Sequence, residues 1–186
     1  MSDYHRIRMP GGSYFFTLSL YDRRAAVLTD EQVRAALREA VLTVRRERPF
    51  HVDAWVLMPD HLHCIWTLPE GDADYSVRWS QIKRLVTQSA PIPGLRPRSE
   101  SRMRRREGNL WQRRFWEHLI RDDQDFERHF DYVHWNPVKH GYTVAARDWP
   151  WSTFSRSVGA GLYPEHWGEL APEFGDGDFG EPPWFR

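Results

Sequence analysis

The sequence predicts an α+β fold: an antiparallel sheet with helices on one face, one further helix, and an irregular C-terminal tail. Three observations carry this. Short runs rich in aromatic and β-branched side chains alternate with stretches whose apolar residues recur at helical spacing. Two of the strand-like runs stand back to back across the turn signal Pro59-Asp60. The elements follow the order β-α-β-β-α-β and then a helix, the order of a split βαβ, ferredoxin-like sheet. That fold hosts many chemistries, so activity must be read from particular side chains.

Each element has its own local warrant. Tyr14 to Leu20 is aromatic-rich and follows Gly11-Gly12, a strand entered from a tight turn. Thr29 or Asp30 caps a helix to about Arg46, with Val33, Ala36, Leu37, Ala40, Val41 and Val44 on one face and Pro49 beyond its end. Phe50 to Leu57 alternates as a second strand, and His61 to Leu68 is its hairpin partner. Ser76 to about Gln88 reads as a second helix burying Val77, Ile82, Leu85 and Val86. Pro91, Pro93, Gly94 and Pro97 break the chain, and Arg98 to Gly108 reads as a basic loop. Phe115 to Ile120 is a fourth strand. Asp122 or Asp123 caps a third helix from Gln124 to Trp135, which Pro137 is expected to limit. The last 40 residues hold Trp-Pro, Gly and acidic side chains without long periodicity.

The 186 residues carry 26 basic and 26 acidic side chains, a net charge of zero. The balance conceals segregation. Residues 78–121 hold 12 basic and 3 acidic side chains, net +9, and residues 165–186 hold 1 and 6, net −5. A strongly basic middle is therefore masked by acidic flanks and an acidic tail. The expected organisation is one domain over residues 1–167 with an acidic, flexible tail over 168–186. The single cysteine, Cys64, excludes an intramolecular disulfide framework and a Cys-based zinc finger, and fits a reducing cytoplasm. No apolar run approaches the roughly 20 residues of a membrane helix, and the N-terminus has no apolar signal core. These features lead us to expect a soluble cytoplasmic protein.

Two constellations can carry chemistry. His61 and His63 flank Leu62 in a strand, so both imidazoles project from one face. They can hold a divalent cation, or they can be two hydrogen-bonded core histidines. Tyr132 and Asn136 lie four apart on a helix and share a face. A phenol and a carboxamide so placed can serve as nucleophile and metal ligand, or as an interfacial tyrosine and a helix-end asparagine. Lys139 and His140 follow as helpers or as a solvated helix end. The basic stretch offers phosphate contacts through Lys83, Arg84, Arg102, Arg104, Arg105, Arg106, Arg113 and Arg114. Trp79, Trp111 and Trp116 stack unpaired bases or pack in the core. No RNP1-like aromatic pattern supports an RNA-binding sheet.

Five blocks occur in a recognisable order: Gly11-Gly12 before the aromatic strand; Met58-Pro59-Asp60-His61-Leu62-His63; Trp111-Gln112-Arg113-Arg114-Phe115-Trp116; Tyr132-Val133-His134-Trp135-Asn136-Pro137-Val138-Lys139; and Trp149-Pro150-Trp151-Ser152-Thr153-Phe154. Over about residues 4–167 the chain resembles the REP-associated tyrosine transposases, single-tyrosine members of the HUH (histidine, hydrophobic, histidine) endonuclease superfamily. The resemblance implies that Tyr132 attacks a DNA phosphodiester, giving a 5′-phosphotyrosine and a free 3′-OH. It implies that His61 and His63 bind Mg²⁺ or Mn²⁺, with Asn136 as third ligand where related insertion-sequence transposases often carry glutamine. Its implied substrate is a single-stranded repetitive extragenic palindrome hairpin with a short G-rich 5′ element at its foot, approached by Gly11 and Gly12. It further implies a monomer whose tyrosine helix acts in cis. A non-catalytic hairpin-binding relative is the alternative.

Overall fold

The computed structural model describes residues 6–89, 92, 95, 97–105, 108–168, 172, 179 and 180. Four strands, β1 (Ser13–Ser19), β2 (His51–Leu57), β3 (His61–Thr67) and β4 (Trp116–Leu119), form one antiparallel sheet in the order β2-β3-β1-β4. Helices α1 (Glu31–Glu47) and α2 (Tyr75–Ser89) follow β1 and β3. This is the expected split βαβ arrangement. After β4 comes the long α4 (Asp123–Lys139). Two short helices, α3 (Glu100–Arg104) and α5 (Phe154–Gly159), stand where the sequence predicts irregular chain. Ser99 caps α3, its hydroxyl accepting from the Arg102 amide.

Strand alternation sorts side chains into two cores. Tyr14, Phe16, Leu18, Leu62, Cys64 and Trp66 pack against Val33, Leu37 and Val44 of α1 and Trp79, Ile82 and Val86 of α2. Phe15, Ala54, Val56 and Ile65 point the other way, to Phe130, Tyr132 and Val133 of α4 and to Trp149 and Phe154. Helices α1 and α2 thus cover one face, and α4 covers the other. Because Leu62 belongs to the first core, His61 and His63 are committed to the α4 side. A register slip of one residue would turn both imidazoles into the wrong core.

The helix ends follow their sequence signals, with one exception. Asp30 caps α1, its carboxylate accepting from the amides of Gln32 and Val33, and Asp122 caps α4 by accepting from Asp125. Pro137 does not end α4, which continues to Lys139. A proline so close to a helix end removes one backbone bond near the terminus, a smaller loss than in mid-helix. The turn closes beyond it, with the His140 amide donating to Asn136 and the Tyr142 amide to Pro137.

Several residues of the basic stretch serve the fold. Trp79 is fully buried and stacks on Trp66 at 3.9 Å, and Trp111 is buried as well, so both are core side chains. Arg78 is only 1% exposed. Its guanidinium pairs with Asp72 at 2.6 Å and donates to the carbonyls of Arg48, Pro49 and Asp74, tying α1, α2 and the β3–α2 loop together. Arg78→Met is expected to lower stability by about 3 kcal/mol, because it leaves buried carbonyls and a carboxylate without their donor. A fall in the denaturant midpoint at unchanged slope is the measurement that checks it.

Candidate active site

β3 presents its two histidines edge to face, with ring centroids 4.8 Å apart, and neither is more than 1% exposed. Each is fixed through Nδ1. Asp60 Oδ1 lies 2.6 Å from His61 Nδ1, and Arg23 Nε donates to Asp60 Oδ2 at 2.5 Å. Burial works to raise the Asp60 carboxyl, but the hydrogen bonds and charges of His61 and Arg23 overcome it and hold the group at about 2. Arg23 Nη2 also approaches His61 Nδ1, at 3.1 Å, but the shorter contact to an ionised Asp60 puts the proton on Nδ1 and leaves the Nε2 lone pair available. Thr17 Oγ1 lies 2.8 Å from His63 Nδ1 and donates to the Phe179 carbonyl at 2.8 Å. With its proton so committed, the hydroxyl accepts from His63, which assigns the same tautomer to the second histidine.

Tyr132 comes to this pair from α4. Its ring meets His63 at 5.3 Å and Phe15 at 6.1 Å, and only 2% of the residue is exposed. Lys139, two turns further along α4, donates from Nζ to Tyr132 Oη at 2.8 Å. Phe179 of the C-terminal tail lies flat on the tyrosine, centroids 3.8 Å apart and planes 5° from parallel. Asn136 is fully buried on α4 between Tyr132 and His140, and the His140 ring meets His61 at 5.4 Å. Two imidazoles with fixed tautomers and a buried carboxamide are a donor set that suits a divalent cation accepting nitrogen and oxygen. His134 lies elsewhere in the helix's surroundings. Its ring nitrogens engage the Phe130 carbonyl and Thr153 Oγ1, and burial pushes it down to about 3, so it is a neutral packing residue.

Sequence reasoning missed a neighbouring cluster. His118 on β4 with Asp125 and His129 on α4 brings three ligand-type atoms within 4.8 Å of one another, a set that can hold a divalent ion. His118 Nε2 lies 2.7 Å from Asp125 Oδ2, and the His118 and His129 rings stack at 4.5 Å. The same carboxylate accepts from the Arg121 amide and pairs with Arg121 and Arg128. Burial opposes ionisation of Asp125, but His118 and Arg121 hold it at about 2. Burial also depresses His129 to about 4. Asp125 reads in sequence as one more acid in a helix's first turn; its partners become visible only when β4 pairs with β1 and brings His118 alongside.

The basic residues divide by placement. Arg6, Lys83, Arg84 and Arg113 line a cleft of about 640 Å³ between α2 and the chain leading into β4. A second cleft of about 450 Å³ shares Arg6, Gln112 and Phe115 with it and adds Thr17, Arg114, Trp116 and Gly180. Burial, helped by Arg6, lowers Lys83 to about 8, and its Nζ donates to the Gln112 carbonyl at 2.7 Å. Arg84, Arg104, Arg105, Arg113 and Arg114 are exposed. Arg102 is turned inward: it donates to the carbonyls of Gly108 and Trp111 and lies over the Tyr21 ring at 3.8 Å. Arg106 lies outside the described residues. Gly11 has φ +71° and donates to the Asp72 carbonyl, while a Cβ on Gly12 would lie 3.0 Å from the Met9 carbonyl oxygen. The turn itself therefore requires both glycines.

No family model matches the chain. It is 46% identical over 178 residues to the REP-associated tyrosine transposase of Escherichia coli K12, covering 96% of this chain and 98% of that one. The chain belongs to the REP-associated tyrosine transposase family. A Haemophilus influenzae protein assigned to the same group is 44% identical over 170 residues, 90% of this chain and 94% of its own. A solved structure described as a REP-associated tyrosine transposase bound to a REP hairpin superposes with a TM-score of 0.82 at 44% identity, covering 98% of both chains. The transposase is accordingly an HUH-type enzyme of the tyrosine class, as its ordered sequence blocks imply. Among the described residues, no helix is long and apolar enough to cross a membrane.

Proposed function

We propose that this transposase cuts and rejoins single-stranded DNA at repetitive extragenic palindrome hairpins, using Tyr132 as nucleophile and a divalent metal held by His61, His63 and Asn136. The observation that carries the reading is the meeting of the Tyr132 and His63 rings at 5.3 Å, in one nook between β3 and α4. The relative solved with a REP hairpin supports the substrate class. Mg²⁺ or Mn²⁺ bound there supplies polarisation of the scissile phosphate, and mixed nitrogen and oxygen ligation favours Mn²⁺. The chain's own residues do the rest. Asp60 and Thr17 fix the imidazoles, α4 aims the phenol at the phosphorus, and the clefts beside Lys83, Arg84, Arg113 and Arg114 hold the backbone of the strand. Arg104, Arg105 and Arg106 extend this basic surface. Gly11 and Gly12 hold the turn that approaches the G-rich 5′ element.

The catalytic unit in this reading is residues 1–167, followed by a tail over 168–186 that conditions access. It works as a monomer, since Tyr132 already meets His63 within one chain, and its chromosomal substrate places it in the cytoplasm with the nucleoid. The test incubates the protein with a single-stranded hairpin oligonucleotide and Mn²⁺, Mg²⁺ or EDTA, and reads covalent protein–DNA adduct on a denaturing gel. Adduct that depends on metal is the expected result. Adduct of equal yield in EDTA overturns the ligand assignment, and hairpin binding without adduct under any metal returns the protein to the binding-only alternative. Asp60→Ala is expected to raise the Mn²⁺ concentration for half-maximal adduct by about 10–100-fold, because an unsupported imidazole loses tautomer and orientation.

A further inference from the structure

We infer that Lys139 is a catalytic residue that carries the charge of the Tyr132 phenolate during both cutting and rejoining; this rests on Tyr132 being the nucleophile. Lys139 Nζ is the donor to Tyr132 Oη, at 2.8 Å, and it also lies 4.7 Å from the centre of the tyrosine ring. The contact is built by the helix. Seven residues are close to two full turns, so positions 132 and 139 share one stripe of α4. That stripe exists only because α4 runs past Pro137, against the usual stop signal. The phenol sits among Phe15, His63 and Phe179, and the residue is 2% exposed. Lys139 Nζ is thus a cation set directly against the oxygen that takes up negative charge whenever the Oη–P bond breaks.

The step balances as follows. Tyr132 Oη gives its proton to water, and the resulting phenolate is held by the Lys139 ammonium. Oη then bonds to phosphorus. The P–O3′ bond breaks with its electron pair going to the 3′ oxygen, which takes a proton from water. Rejoining is the reverse: a 3′-OH loses its proton to water and attacks phosphorus, and the Oη–P bond breaks with its pair returning to Oη. Lys139 stays protonated throughout, so it acts by charge and not by proton transfer. A preorganised donor on an oxygen that gains charge is typically worth about 10²–10³ in rate.

The experiment measures single-turnover adduct formation and rejoining on a hairpin oligonucleotide with Mn²⁺, using the full chain. Lys139→Gln is expected to slow both directions by about 10²–10³-fold, with Mn²⁺ and hairpin affinities within about threefold of the parent. Lys139→Arg is expected to recover at least tenfold of the loss, because it restores the cation. Placing 3,5-difluorotyrosine at position 132, whose phenol ionises more readily, is expected to rescue Lys139→Gln selectively. A purely structural lysine would not respond to the acidity of the phenol. Lys139→Gln within threefold of the parent rate, or a loss that neither Arg nor the fluorinated phenol relieves, overturns the inference. If Tyr132→Phe forms undiminished adduct, the nucleophile assignment has failed instead, and that control separates the two failures.

Discussion

Tyr132→Phe is expected to bind the hairpin as the parent does and to form no covalent adduct. The substitution removes one oxygen and leaves the ring that fills the space between Phe15, His63 and Phe179. Its structural cost is the hydrogen bond from Lys139, about 1 kcal/mol, and the half-buried lysine can turn its head toward water. Hairpin affinity measured by gel shift should therefore change less than about threefold, while adduct falls to background. His61→Ala makes the instructive contrast. It keeps the phenol but removes one of the proposed metal ligands, so adduct is expected to fall sharply and to be partly recovered at high Mn²⁺. A Tyr132→Phe protein that still forms adduct at the parent rate would sink the nucleophile assignment. A His61→Ala protein with an unchanged metal titration would sink the ligand assignment.

Most of this fold was legible because local signals agreed with one another. Aromatic and β-branched runs marked the strands, Asp30 and Asp122 marked helix starts, and the Leu62 position alone committed both histidines to one face. Two features read wrongly from local rules. Pro137 should end α4, yet the last turn closes beyond it through the His140 and Tyr142 amides. Arg98 to Gly108 looked like uniform basic loop, yet Ser99 caps α3 there and Arg102 turns inward to carbonyls of its own segment. Charge counting registers cations and says nothing of where they point. Arg78 and Arg102 both contribute to the basic stretch of the sequence, and both are occupied in holding the chain.

The residues of the site were legible as types and not as partners. The His-Leu-His spacing fixed a common face, but that Asp60 and Thr17 would set the two tautomers depended on the Arg23 turn and on the β1–β3 register, which pairs Thr17 with His63. His118, Asp125 and His129 are 11 residues apart at most along the chain, and nothing in their spacing marks them. Tyr132 and Phe179 are still harder to connect, since no helical or strand periodicity relates a helix tyrosine to an aromatic 47 positions later. The acidic composition of the tail suggested a charge effect; the structure adds a stacked ring.

Removing residues 169–186 is expected to raise the rate of adduct formation at saturating Mn²⁺ by about 10–100-fold. Phe179 covers the face of Tyr132 at 3.8 Å, and its carbonyl accepts from the Thr17 hydroxyl that supports His63. Gly180, at φ +70°, follows so closely on Trp116 that a Cβ there would lie 2.5 Å from the indole Cγ. Attack requires phosphorus to come within about 3–3.5 Å of the phenol oxygen, and DNA must enter beside a ring already stacked. Stacking and one hydrogen bond together hold the seat by about 1.5–2.5 kcal/mol. The competent open form is then a small fraction of the whole, and the apparent rate falls by that fraction. Phe179→Ala should recover most of the gain, and a bulky residue at Gly180 should act the same way by lifting the segment from Trp116. Salt separates the ring from the charge. If the net −4 of residues 169–186, five acidic side chains against one basic, did the blocking by occupying the basic clefts, the benefit of truncation would fade as salt shortens the Debye length to about 3 Å near 1 M. A stacked ring is indifferent to that screening, so truncated and full-length proteins should differ by a similar factor at high and low salt, each compared at saturating DNA.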